Sequence, residues 1–256
     1  MNSHQKNKSL AVSFYTEVIG PRNSERAKSL IAENYIQHNP TLPDGRAGVL
    51  MAIEFLKKLP VPETPKNPIR RIIAEKDLVV LHLDIEFGGS KKAVIDIFRI
   101  ENDQLAEHWD VVQDQPIQTQ NGHLMVDGHT EIEDAELTEP NKNLVERFFE
   151  NVLINRNLDQ IPLFLGESLI QHHPEMKDGS AGLEAYLKEK GNQLLFEKPA
   201  RMIAEGNFVV SHSRMTLDDK PYALCFIFRL KNHKIVEQWS VSQEIPAQMP
   251  HGNGMV

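Results

Sequence analysis

The sequence predicts an α+β protein of two tandem domains, each with helices first and a mostly antiparallel sheet after them. Three observations carry this. Long segments of residues 35–109 recur in the same order between residues 169 and 239. Within each copy the apolar spacing changes from helical to alternating. The chain of 256 residues is long for one small core and suits two units of ordinary domain size.

The repeat is explicit. YIQHNPTLPDGRAG (35–48) returns as LIQHHPEMKDGSAG (169–182), and RIIAEKDLVVLH (71–82) as RMIAEGNFVVSH (201–212). IFRIENDQLAEHW (97–109) returns as IFRLKNHKIVEQW (227–239), and Met125-Val126 as Met255-Val256. The first domain is therefore assigned to residues 1–126 and the second to 138–256. Residues 127–137 between them are acidic and polar, without an apolar period. They read as a linker whose simplest role is a solvated tether.

Each element has its own signal. Leu10, Phe14 and Val18 lie at i, i+4 and i+8, which predicts an amphipathic helix over 8–19; Leu144, Phe148 and Val152 repeat it. A short helix is expected near 24–32, with IQHNP ending it at Pro40. A third runs over 46–59 and stops at Pro60, at the head of a loop, 60–68, with four prolines. From there IRRIIAEKD, LVVLHLDIEF, KAVIDIFRI and LAEHWDVVQ read as strands rich in β-branched residues. Helices on one face of a curved meander leave a concave side suited to a ligand.

The last hairpin decides which side chains meet. A three-residue loop, Glu101 to Asp103, puts Asp103 in the left-handed region, as His233 would be in the copy. It pairs Asp96 with His108 and Val94 with Asp110. The three polar groups then share one face, and Trp109 joins Ile95 and Ile97 on the other. A two-residue loop would shift the register by one and bring Asp96 beside Trp109.

Bulk properties exclude some classes. A net charge of −8 argues against nucleic-acid binding, which needs a basic surface. The single cysteine, Cys225, allows no intrachain disulfide and sits in LCFIF as a core residue. MNSHQKNKSL has no secretory apolar region, and no apolar run approaches membrane-spanning length. A cytoplasmic setting without membrane contact is expected.

Asp96 interrupts the otherwise apolar AVIDIF. A carboxyl group in such surroundings titrates upward and can exchange protons near neutrality. His108 could share its proton and Asp110 could hold the imidazole. His38 and His172, in the repeated Ile-Gln-His-x-Pro, stand at an expected helix end as turn or ligand-wall residues. His82 and His212 recur mid-strand; His82 alternates with Asp84 and Glu86, so an exposed face competes with a ligand-wall role. A His/Asp metal set lacks any short ligand spacing, and no metal or cofactor is expected. Trp109 and Trp239, and Arg99 and Arg229, are kept in both copies and read as scaffold. In copy two Asp96 is Phe226, His108 is Gln238 and Asp110 is Ser240, as if a functional unit had been lost together.

YIQHNP followed by Asp-Gly, then IRRIIAEKDLVVLH, then VIDIFRIENDQLAEHWDVVQ, resembles the SnoaL-like polyketide cyclase family, over nearly all of copy one and more loosely copy two. The resemblance implies the cone-shaped fold of nuclear transport factor two, with three helices on a strongly curved sheet. It also implies cofactor-independent acid/base chemistry on a small hydrophobic carbonyl compound, in aldol-type cyclisation or isomerisation. Carried over, Asp96 is the general acid/base with His108 and Asp110 supporting it. His38 and His82 would line the wall, as would His172 and His212 in the copy. Copy two departs at all three strand positions. Two other readings stay open: a non-catalytic binding protein, and a second domain that completes an intrachain pseudo-dimer.

Overall fold

The computed structural model describes residues 3–60 and 66–256; the middle of the proline-rich loop, 61–65, lies outside them. In the first domain helix α1 (Ser3–Ser13) runs on into a π-helical turn, Phe14–Ile19. Helix α2 (Ser24–Leu30) starts at Asn23, whose side chain accepts from the Arg26 N–H at 2.9 Å. Then come β1 (Ile31–Gln37), α3 (Gly45–Leu56), β2 (Ile69–Glu75), β3 (Leu78–Phe87), β4 (Ser90–Glu101) and β5 (Gln104–Asp114). The sheet order is β1-β5-β4-β3-β2, antiparallel except for β1 beside β5. The helices cover one face, where Phe14, Val18, Leu30, Ile53, Leu81 and Phe98 form the core.

The second domain repeats this plan. Its elements are α4 (Thr138–Phe148) with a π-helical turn Phe149–Ile154, α5 (Ile161–Phe164), β6 (Leu165–Gln171), α6 (Ser180–Lys190), β7 (Leu194–Phe196), β8 (Arg201–Glu205), β9 (Phe208–Leu217), β10 (Lys220–Lys231) and β11 (Lys234–Glu244). The order is β6-β11-β10-β9, with β7 and β8 both on β9. Each domain is thus a sheet curled around its helices.

Two expectations are corrected. Residues 31–37 are a parallel edge strand, not a helix end, so His38 and His172 follow strands. The hairpin turns on two residues, Asn102 and Asp103, both with positive φ (50° and 62°), the twist-matched geometry for a tight hairpin. A bulge between Arg99 and Ile100 then shifts the register again. Asp96 therefore pairs with Asp110, and Phe98 with His108. Two single steps restore the parity, so Asp96, His108 and Asp110 still share a face and Trp109 faces the other way.

That other face is where the domains meet. Ile73, Ile95, Ile97, Trp109 and Val111 pack with Phe208, Cys225, Ile227, Trp239 and Val241 in one buried cluster. The contacts are reciprocal. Arg71 lies 3.9 Å over the Trp239 ring and Arg201 3.8 Å over Trp109. Gln113 accepts from Ser242 N at 2.8 Å, and Gln243 from Val112 N at 2.9 Å. Glu75 pairs with Lys142 and Glu205 with Lys8. Residues 127–137 are largely exposed but docked: Trp239 Nε1 donates to Asp127 O at 2.8 Å, and Arg71 donates to His129 O. Gly128, at φ 89°, passes so close that an added Cβ would lie 2.0 Å from Glu237 Oε1.

His82 and His212 are fully buried beside Arg71 and Arg201, each 3.0 Å from a guanidinium nitrogen. Burial and then that charge keep both imidazoles neutral: His82 lies well below the ordinary value and His212 at about 3. The unfolded chain takes up these protons from about pH 6.5 downward, so the stabilisation is complete above that pH and declines as pH falls toward the folded values. Each histidine should cost about 1.4 kcal/mol per pH unit once below about pH 6. A His82→Gln, His212→Gln double variant should lose less thermal stability than the parent between about pH 7 and 5. Equal losses would contradict this.

Candidate active site

The helix-facing side of the first sheet gathers a buried polar cluster inside an apolar core. Asp96 on β4 is 2 % exposed, and His108 and Asp110 on β5 are 6 % and 7 %. His108 Nε2 lies 3.5 Å from Asp96 Oδ1. Tyr15, in the first π-helical turn, donates its hydroxyl to Asp96 Oδ2 through a short hydrogen bond. Asn39 Nδ2 donates to Asp110 Oδ2 at 2.6 Å.

The end of β1 sets the histidine tautomer. Gln37 Oε1 accepts from the backbone N–H groups of His38 and Asn39 at 3.0 and 2.9 Å. That fixes the amide, so His108 Nδ1, 3.1 Å away, is the donor. Its Nε2 is left facing Asp96, and the His108 ring stacks on Phe98 with centroids 4.6 Å apart. Asp44, after β1, accepts from Gln37 N at 2.9 Å and closes the turn.

The electrostatics follow from burial. Burial opposes the charged form of His108, but the charge and hydrogen bond of Asp96 together with the charge of Asp110 leave the imidazole above its ordinary value. Asp110 is pushed up to about 6, first by burial and, against the pull of His108, by Asp96. Burial and then Asp96 hold the Tyr15 and Tyr35 hydroxyls well above their ordinary value, so both stay protonated. Tyr35 Oη and Asp110 Oδ1 have no partner among the described residues. The arrangement can hold, share and deliver protons in an enclosed site. One nitrogen or oxygen from each of Asp96, His108 and Asp110 lies within 4.8 Å of the others, so a divalent cation could also be held there.

The four histidines expected on the ligand wall lie on the opposite face. His38 stacks on Trp109 at 4.7 Å and bonds Glu107 at 2.9 Å; His172 stacks on Trp239 at 4.8 Å and bonds Glu237 at 3.0 Å. Arg99 and Arg229 hold those glutamates at 2.8 and 2.7 Å. His82 and His212 serve the interface, as described. Each wall candidate thus belongs to the domain contact, away from Asp96. Tyr15, Tyr35 and Asn39 join the site without having been singled out in sequence. The signal was available, since the copy has Phe149, Leu169 and His173 in their places.

A family model for SnoaL-like polyketide cyclases matches residues 9–121, and one for the SnoaL-like domain matches 145–238. The chain is two SnoaL-like domains in tandem. Similar solved structures include a SnoaL-like polyketide cyclase from Agrobacterium tumefaciens, at 13% identity and TM-score 0.35, covering 40% of this chain and 91% of that one. An LEH-like epoxide hydrolase from M. tuberculosis is 20% identical, at TM-score 0.36, with 41% and 84% covered. An NTF2-like protein of unknown function from Mesorhizobium loti is 13% identical, at TM-score 0.38, with 42% and 93% covered. No curated protein matches the chain in sequence. No helix among the described residues is long and apolar enough to cross a membrane.

In the second SnoaL-like domain the cluster is replaced by aromatic packing. Phe149 and Phe226 stand where Tyr15 and Asp96 bond, with ring centroids 5.9 Å apart, and Phe226 pairs with Ser240. Glu107 and Glu237, Trp109 and Trp239, and Gln113 and Gln243 are retained in both copies and belong to the domain contact.

Proposed function

We propose that the first domain is an acid/base enzyme acting on a small hydrophobic carbonyl compound, in aldol-type cyclisation or isomerisation. The observation that carries this is the enclosure of Asp96 between the Tyr15 hydroxyl and His108, in a polar cluster buried within the apolar core of the helix-facing side. Asp96 takes the proton from the carbon next to the carbonyl, and the electron pair moves onto the carbonyl oxygen. Tyr35, whose hydroxyl is unpartnered among the described residues, donates to that oxygen. The abstracted proton stays on Asp96, beside the His108 imidazole, while Asp110 with Asn39 steadies that imidazole. The enolate carbon then takes the proton back from Asp96, or attacks a second carbonyl whose new alkoxide oxygen takes it instead. The second domain completes an intrachain pseudo-dimer, which fits the reciprocal contacts.

The test is deuterium wash-in at the carbon beside the carbonyl, followed by NMR in D₂O over a panel of cyclic ketones and 1,3-diketones. Wild type should accelerate exchange by about 10²–10⁴-fold for at least one compound, and His108→Gln should abolish most of that. Chelator-treated protein should keep its rate. Loss of exchange on chelation, restored by a divalent ion, would make the cluster a metal centre instead.

A further inference from the structure

We propose that the second domain is itself a binding site, for a small uncharged molecule with an apolar body and hydroxyl, carbonyl or amide groups. Five polar side chains line its helix-facing sheet surface: Gln171, Ser211, Ser213, Gln238 and Ser240. Strand pairing puts them there. Ser211 and Ser240 flank Phe226, Ser213 pairs with Leu224, and Gln238 pairs with Phe228 and Gln171. Leu224, Phe226 and Phe228 belong to the helix-side core. All five polar residues are between 0 % and 2 % exposed. The three serine hydroxyls, both amide atoms of Gln171 and the Gln238 oxygen have no partner among the described residues.

Decay of an old site does not account for this set. Where the first domain has Leu81 and Leu83, the second has Ser211 and Ser213, so hydroxyls were gained on the same surface that lost its ionisable groups. Unpartnered buried donors and acceptors are costly, and a ligand that bonds them removes that cost. Phe149, Leu169, Phe226, Gln238 and Ser240 stand where the first domain has Tyr15, Tyr35, Asp96, His108 and Asp110. A charged ligand would therefore lose its hydration without a counter-charge. A cleft of about 550 Å³ is lined by Arg147, Phe149, Ile154, Lys198 and Met202 among others. The Phe149 ring also meets Phe226 edge-on, with centroids 5.9 Å apart. Phe149 lies in a π-helical turn, a distortion frequent at functional sites, and is shared by the cleft and the interior.

The experiment uses the full chain labelled at methionine methyls. Met202 sits at the cleft and Met215 in the interior, so their resonances report this domain. Benzamide is the probe and benzoate its charged isostere. Benzamide should shift both resonances saturably, with benzoate weaker by at least about tenfold. A Ser211→Ala, Gln238→Leu, Ser240→Ala variant should lose the benzamide response, and Asp96→Asn should keep it. Interface methyls Met125 and Met255 report whether the triple variant is folded; if it is not, Gln238→Leu alone carries the comparison. Absence of a shift up to the solubility of benzamide, an equal response to benzoate, or a response that survives the substitutions each overturns the proposal. None of these outcomes bears on proton exchange in the first domain.

Discussion

Trp239→Ala is expected to lower folding stability by about 3–5 kcal/mol and to split a single unfolding transition into two. The indole is fully buried and joins three parts of the molecule. It stacks on His172 with an interplanar angle of 7°, lies under Arg71 of the other domain, and donates to Asp127 O in the connecting segment. Truncation leaves a cavity between the sheets and an Arg71 guanidinium without its ring. That guanidinium is already pushed down to about 10, mainly by burial. Calorimetry checks both parts. One cooperative transition with a loss below about 1 kcal/mol would mean that the interface is not held by this residue.

Deleting residues 245–256 should reduce turnover in the first domain although it removes none of the proposed catalytic side chains. This tail crosses to the other domain. Asn253 Nδ2 donates to Gln37 O at 2.9 Å, His251 Nε2 to Asn39 O at 2.8 Å, and His38 Nδ1 to Gly254 O at 2.8 Å. Gln37 and Asn39 are the residues that hold His108 and Asp110. Met255 is fully buried in the interface cluster. Burial of one such side chain and three hydrogen bonds together suggest a stability loss of about 2–4 kcal/mol. The activity loss should appear at temperatures where the truncated protein is still folded by circular dichroism. Unchanged turnover there would show that the tail does not support the site.

Much of this was legible in the sequence, for identifiable reasons. The repeat placed both domains, and side-chain alternation put Asp96, His108 and Asp110 on one face. The register was not legible: a tight two-residue turn and a bulge each moved it by one step, and only their sum preserved the facing. Strand β1 was missed because IAENYIQ is a parallel edge strand whose exposure does not alternate. Tyr15 was missed because it follows Phe14 directly, and only the π-helical turn brings both rings to the core. His82 was misplaced because its alternation partners, Asp84 and Glu86, lie on the part of β3 beyond the domain contact. One strand face is therefore buried at one end and open at the other, which no periodicity reports. The histidines of the repeated Ile-Gln-His-x-Pro stack on tryptophan at the domain contact, a placement their spacing does not report.

The central claim is that Asp96 moves the proton. It is tested most directly by Asp96→Asn in the full chain, measuring deuterium wash-in and ligand affinity on the same ketone. The account predicts a loss of about 10²-fold or more in exchange with affinity changed by less than about threefold. Exchange that survives the substitution at full ligand occupancy would contradict it.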